Sequence, residues 1–285
     1  MSLSSRRAAS RDELHEDMST PASEATSPKG LLIDTTLCIG CGACSLACAE
    51  QNALPAPAVS GTDTDLSDRA FTVVQSQGGR FVRRLCMHCD EPTCASVCLV
   101  GAFRKTADGP VVYDESRCIG CRYCMQACPF TVPRYEWDEV LPRVRKCDLC
   151  AGRLASGLPT ACASACPTGA TRFGNRDELM AEARARIAAG PGRYLPQIYG
   201  AEEAGGTSVL LISDVPFAAL GYPGNLPREA LPALTWRVMS QVPRFAVTAG
   251  VFLAGVYWIT ARREDVAAAE THGPGPAPQA RKEAP

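Results

Sequence analysis

Sixteen cysteines carry the chemistry of this 285-residue chain, and all lie between Cys38 and Cys166. They fall into four boxes of four. Box one is Cys38, Cys41, Cys44 and Cys48. Box two is Cys86, Cys89, Cys94 and Cys98. Box three is Cys118, Cys121, Cys124 and Cys128. Box four is Cys147, Cys150, Cys162 and Cys166. Each opens with C-x-x-C and closes with C-x-x-x-C. Sulfurs three residues apart on one loop converge on a single centre, so the pattern is a poor disulfide framework, which in any case belongs to short secreted chains. Structural zinc takes two C-x-x-C knuckles, often far apart. Thiolates are soft donors that suit iron–sulfur clusters, and glycines at Gly40, Gly42 and Gly120 let the backbone wrap closely and offer N–H groups to sulfur.

Boxes one and three read C-x-x-C-x-x-C-x-x-x-C, the ligand run of bacterial ferredoxins, whose fourth cysteine serves the other cluster. The spacing places three thiolates on a loop and the fourth at a helix start. Cys128-Pro129 and Cys166-Pro167 carry the proline that accompanies a fourth ligand. Two short apolar runs, LLID (31–34) and VVYD (111–114), read as strands feeding boxes one and three. Boxes two and four share other leads, RRLCMHC and VRKCDLC, and Gly-Ala exits. The order A-B-A-B is an internal repeat, and it predicts two ferredoxin modules with four [4Fe–4S] clusters. Spacing alone leaves both pairings open, consecutive (one with two, three with four) or nested (one with four, two with three).

The remaining chain must position these boxes. Residues 1–29 lack apolar periodicity and are expected to be disordered. Their Arg6-Arg7 pair is followed by no apolar stretch, so no signal peptide is expected. FTVVQSQ (71–77) predicts a strand after a loop over 52–68. A packing helix is predicted over 176–189, capped by Asn175 or Asp177, with Leu179, Met180, Ala183 and Ile187 as its apolar stripe and Gly190-Pro191 as its stop. TSVLLIS (207–213) predicts a further strand within an extension, 176–242, that packs on the cluster domain (30–175) or a partner. Residues 245–261 hold seventeen residues without charge, flanked by Arg244 and Arg262, with Tyr257 and Trp258 near one end. That length is at the short end for crossing a bilayer. A membrane anchor over 243–263 is favoured over a buried helix, with a disordered tail over 264–285. Two basic residues on each side (Arg237 and Arg244; Arg262 and Arg263) leave its orientation undecided.

The formal net charge of −1 offers no bulk field for nucleic acid. No C-x-x-C-H, Walker A loop or dinucleotide fingerprint occurs, and no nucleophile–base set stands out, so catalytic residues are expected to be absent. His88, inside box two, reads either as a polar residue on the loop surface or as a hydrogen-bond donor that shifts a cluster potential.

The chain resembles the four-cluster iron–sulfur subunits of membrane-bound respiratory oxidoreductases. CIGCGACSLAC, CMHCDEPTCASVC, CIGCRYCMQACP, KCDLC and ACASACPTGA carry the resemblance, which spans 31 to about 222 plus the C-terminal anchor. FGNRDELMAEAR and IYGAEEAGGTSVLLISDVPF make it look most like the hydrogenase-2-type subunit, with the formate dehydrogenase beta subunit as near neighbour. The resemblance implies an α+β fold of two bacterial-type 2[4Fe-4S] ferredoxin modules, nested in sequence, plus a C-terminal single transmembrane helix. It implies four sets of ligands. Cluster a would take Cys38, Cys41, Cys44 and Cys166; cluster b, Cys48, Cys147, Cys150 and Cys162. Cluster c would take Cys86, Cys89, Cys94 and Cys128; cluster d, Cys98, Cys118, Cys121 and Cys124. With all sixteen cysteines present, four [4Fe–4S] clusters are expected rather than a three-iron variant. The implied role is electron relay between a catalytic hydrogenase or molybdenum/tungsten subunit and a quinone-reactive or cytochrome b membrane subunit, the chain itself being non-catalytic. Hydrogenase relatives often begin with a twin-arginine-like leader, whose apolar part is missing here. The anchored domain would therefore face the periplasm if exported on a partner's signal, and the cytoplasm otherwise. The alternatives are a soluble polyferredoxin-like carrier or assembly factor, and a zinc-binding interaction module.

Overall fold

The computed structural model describes residues 27–56 and 65–273. The Arg6-Arg7 pair, nearly all of the N-terminal segment and the end of the tail lie outside the described residues. The chain divides into two units, Met1–Leu231 and Pro232–Pro285.

In the first unit, strand β1 (Lys29–Asp34) enters box one and helix α1 (Ala43–Gln51) leaves it. A hairpin of β2 (Val73–Gln77) and β3 (Arg80–Arg84) leads to box two, which carries α2 (Thr93–Ser96). Gly78 and Gly79, both at positive φ, form its two-residue turn. The hairpin β4 (Phe103–Lys105) and β5 (Val111–Tyr113) joins box two to box three and α3 (Tyr123–Ala127). A third, β6 (Arg134–Tyr135) and β7 (Val144–Arg145), leads to box four with α4 (Ala151–Ala155) and α5 (Ala161–Ser164). Then follow β8 (Thr171–Asn175), α6 (Arg176–Ala189) and β9 (Val209–Ile212).

The central sheet has the order β8-β1-β9, with β1 antiparallel to β8 and parallel to β9. Both faces are covered, which explains why LLID and VLLI are continuously apolar. Leu32, Leu210 and Ile212 pack against Leu179 and Ala183 of α6, with Met180 and Ile187 at the margin. Leu31, Ile33, Val209 and Leu211 face the other way, into a core that includes Cys86, Cys147 and Cys162. Helix α6 has the predicted bounds and stripe. Asn175 precedes it, but its side chain bonds Glu178 (2.8 Å) and makes no backbone cap. Buried Asp34 ends β1, where it accepts from Arg186 of α6 at 3.0 Å and from the Tyr194 hydroxyl at 2.8 Å.

The second unit holds α7 (from Leu231 to Met239) and α8 (Val242–His272). Helix α8 runs beyond the expected end of the anchor at 263. Residues 264–272, read as tail, are helical because DVAAAETH contains strong helix formers and no breaker occurs before Gly273. The helical stretch from Leu231 to Thr271 contains a window long and apolar enough to cross a membrane.

Candidate metal centres

Each box is a tight turn followed by a short helix. In boxes one and three the backbone reverses through left-handed residues: Gly40 (φ 72°) and Gly42 (φ 71°), then Gly120 (φ 72°) and Arg122 (φ 63°). Gly40 is packed under the ring of Phe81 and Gly120 under the hydroxyl of Tyr135, so closely that a Cβ on either would sit at 2.5 or 2.8 Å from the aromatic group. In boxes two and four the third residue takes the same left-handed turn, His88 at φ 51° and Leu149 at φ 59°. The backbone therefore repeats the A-B-A-B order of the sequence.

One expectation is corrected here. The fourth cysteine does not open a helix. The third does: Cys44, Cys94, Cys124 and Cys162 lie in the first turn of α1, α2, α3 and α5. The fourth follows one turn later, inside α1 for Cys48 and just beyond the short helix for Cys98, Cys128 and Cys166. For Cys44 and Cys48, both inside α1, the x-x-x spacing is the helical i, i+4 step that puts the two side chains on one face.

Strand pairing decides which boxes meet. The β1–β8 ladder sets the exit of box four beside the lead of box one. A cavity there is lined by Cys38, Cys41, Cys44 and Cys166, with Arg83 and Thr171. The β4–β5 hairpin sets the exit of box two beside the lead of box three. The thiols sense one another accordingly. Burial raises Cys38, with added repulsion from Cys44, Cys166 and Cys41. Burial pushes Cys48 up to about 12, reinforced by Cys162 and Cys150. Burial raises Cys89, reinforced by Cys86, Cys128 and Cys94. Burial pushes Cys124 up to about 11, reinforced by Cys118, Cys121 and Cys98. The neighbourhoods also adjoin in a row: Arg83 acts on Cys44 and Cys162, Cys147 senses Cys86, and Cys94 senses Cys124.

These groups fit a bound anionic cluster better than a single ion. A buried thiolate is costly without positive charge, and iron supplies it. Backbone N–H donors already point at sulfur: Ala102 at Cys98 (3.2 Å), Gly120 at Cys118, Leu149 at Cys147 and Thr171 at Cys166 (each 3.4 Å). For Cys166 burial raises the thiol, but the N–H of Thr171 and the hydroxyl of Thr168 outweigh it and hold it below its usual range.

His88 is not on the loop surface, since it is fully buried. Its Nδ1 accepts the Val111 N–H at 2.9 Å, which leaves the proton on Nε2, and that atom has no partner among the described residues. Burial, then Lys146 and Lys105, drive its pKa well down, so the ring is neutral. Sequence reasoning missed two buried cations, Arg83 and Lys146. The available signal was the basic lead of boxes two and four, RRLC and VRKC.

The turn-and-helix boxes, paired strands and sulfur-lined cavity define a ferredoxin-class iron–sulfur protein. Residues 78–176 match the family model described as 4Fe-4S dicluster domain, and residues 31–48 match 4Fe-4S binding domain. The hydrogenase-2 operon protein HybA of Escherichia coli O157:H7 is 37% identical over 238 residues, 68% of this chain and 72% of that one. The formate dehydrogenase iron-sulfur subunit of Haemophilus influenzae is 34% identical over 260 residues, 83% of this chain and 82% of that one. A protein of Nitratidesulfovibrio vulgaris is 42% identical over 255 residues, 85% of this chain and 69% of that one. The chain belongs to the family of ferredoxin-type 4Fe-4S subunits related to HybA and the formate dehydrogenase iron–sulfur subunits.

Proposed function

We propose that the chain is a non-catalytic electron-relay subunit holding four [4Fe–4S] clusters in two nested ferredoxin modules. Cys38, Cys41, Cys44 and Cys166 would hold cluster a, and Cys48, Cys147, Cys150 and Cys162 cluster b. Cys86, Cys89, Cys94 and Cys128 would hold cluster c, and Cys98, Cys118, Cys121 and Cys124 cluster d. The observation that carries the nesting is the β1–β8 ladder, which brings Cys166 to the cavity lined by the first three cysteines of box one. The mutual repulsion among the same four sets of thiols supports it. Bound there, each cluster would exchange one electron at a time.

The protein's part is positioning, exclusion of water and electrostatics. Buried turns hold the thiolates, and backbone N–H groups donate to them, which favours the reduced state. The row of adjoining neighbourhoods supports the order a–b–c–d for the wire. By analogy with the relatives, its ends would serve a hydrogenase- or formate-dehydrogenase-type catalytic subunit and a quinone-reactive or cytochrome b membrane subunit. The apolar helix α8 supports a single-pass membrane anchor.

Two measurements test this. Iron should number close to sixteen per chain, and Cys166→Ser should perturb the centre that Cys38→Ser perturbs. If it perturbs the centre of Cys118 instead, the nesting is wrong. Deleting residues 243–285 should release the chain from membranes without loss of iron; a full-length chain that needs no detergent would defeat the anchor.

A further inference from the structure

Arg83 stands three residues before Cys86, the first cysteine of box two, yet the thiols its charge acts on most strongly belong to boxes four and one. It is 2% exposed. Its Nε donates to the Thr72 hydroxyl at 2.9 Å and its Nη1 to the Thr171 hydroxyl at 3.2 Å. Thr171 in turn gives its backbone N–H to Cys166. The guanidinium lines the cavity of Cys38, Cys41, Cys44 and Cys166, and its charge also acts on Cys162, from the second set of the outer pair of boxes. For Cys162 burial raises the thiol, but Arg83 and the Thr160 hydroxyl overcome it. Among the described residues no carboxylate pairs with Arg83, although the other arginine and lysine ion pairs here are with Asp or Glu. A buried guanidinium is not left without an anion, because desolvating it alone costs too much. Among the described residues the acidic groups that act on it most strongly are the thiols of Cys162, Cys44 and Cys147.

We propose that Arg83 is a shared counter-charge placed between clusters a and b, raising the reduction potential of both and easing their mutual repulsion when one is reduced. This rests on the nested reading above. A fixed cation lowers the energy of the more negative, reduced state of any cluster beside it, and low-polarity surroundings strengthen the effect. Arginine suits this position better than lysine. Its planar head donates to Thr72 and Thr171 together while its charge acts on Cys162, and that charge is not lost at any working pH.

The test is an anaerobic redox titration of the full-length chain in detergent, followed by electron paramagnetic resonance and iron analysis. Cys166→Ser and Cys162→Ser assign clusters a and b. In Arg83→Gln the reduced-to-oxidised ratio of those two centres at a fixed ambient potential should fall about tenfold, a shift of about 59 mV for a one-electron couple. The other two centres should stay in place, and Arg83→Lys should keep at least half of the wild-type shift. Unmoved potentials in Arg83→Gln with full iron would overturn the proposal, as would equal falls in the Gln and Lys variants. Should the Gln variant lose iron, Arg83→Lys decides: near-native potentials for a and b support a charge role, and a fall with sixteen irons refutes it. A wild-type chain without four clusters would instead refute the nested reading itself.

Discussion

Alanine at Gly40 separates backbone strain from steric clash inside one cluster-binding turn. The residue sits at φ 72°, and a Cβ would lie 2.5 Å from Cδ1 of Phe81. The left-handed conformation costs alanine about 1–2 kcal/mol, and overpacking adds about 1–3 kcal/mol. Gly42, two residues on, is the internal control: φ is 71°, but nothing lies within 4 Å of its Cβ position. Gly42→Ala therefore carries strain alone. If the turn must open for cluster a to leave, the strain of about 1–2 kcal/mol speeds loss roughly 5- to 30-fold, at 1.4 kcal/mol per factor of ten. Gly40→Ala should start at about 30-fold and rise from there. The assay is anaerobic decay of the visible charge-transfer band after chelator addition. About one quarter of the amplitude should accelerate, as expected when one of the four proposed clusters is affected. Phe81→Ala should bring Gly40→Ala down to the Gly42→Ala level when scored as a double-mutant cycle. Equal decay of the two glycine variants, or a difference that persists without the Phe81 ring, would refute the steric argument.

Arg186→Met should destabilise the first unit by about 1.5–3 kcal/mol, because it removes a charged donor from fully buried Asp34 while Tyr194 and Thr36 remain. Thermal unfolding should show part of that loss recovered in Arg186→Met with Asp34→Asn, which leaves no buried charge. The hydrogen bond from Arg80, opposed by partial burial, holds the Asp214 carboxyl below its usual range. Its folded pKa lies below the unfolded value of about 3.9, so the ion pair stabilises fully above that value and is lost as pH falls through the folded one. The stability gap between wild type and Asp214→Asn should thus be constant at neutral pH and close in acid. A gap that widened on acidification would contradict the depressed pKa.

The boxes, their lead-in strands and helix α6 were legible because each is a local signal. Cysteine spacing, a period of 3.6 over Leu179 to Ile187, and short apolar runs depend on neighbours in sequence. The β2–β3 hairpin was only half legible: FTVVQSQ marks one strand, and the Gly78-Gly79 turn that makes RFVRR its partner was passed over. The end of α8 was missed because alanine-rich composition reads as tail when no packing partner is visible, yet alanine is also the best helix former. Arg83 and Lys146 were out of reach for a different reason. A cation beside a cysteine box looks like a solvated residue until the chain folds over it. The pairing of boxes had the same character, since identical spacing within boxes one and three carries no information about which distant strand lies alongside.

In the proposed nesting the two pairs of boxes have unequal closure costs, and the extension after box four answers that inequality. The inner pair is joined by a hairpin in which Lys105 meets Val111, whereas the outer pair needs Ile33 to meet Thr171. Loop-closure entropy grows as the logarithm of length, so the outer contact costs about 3 kcal/mol more. An antiparallel pair of short strands is marginal by itself. Strand β9 supplies what is lacking. It adds a third strand parallel to β1, and all four of its side chains, Val209 to Ile212, are completely buried. Full burial of one leucine contributes about 1.5–3 kcal/mol at most, so two such residues offset the additional closure cost. Helix α6 then covers the face that β9 and β1 would otherwise expose. The segment that carries no cysteine is therefore what allows the first and last boxes of the chain to meet.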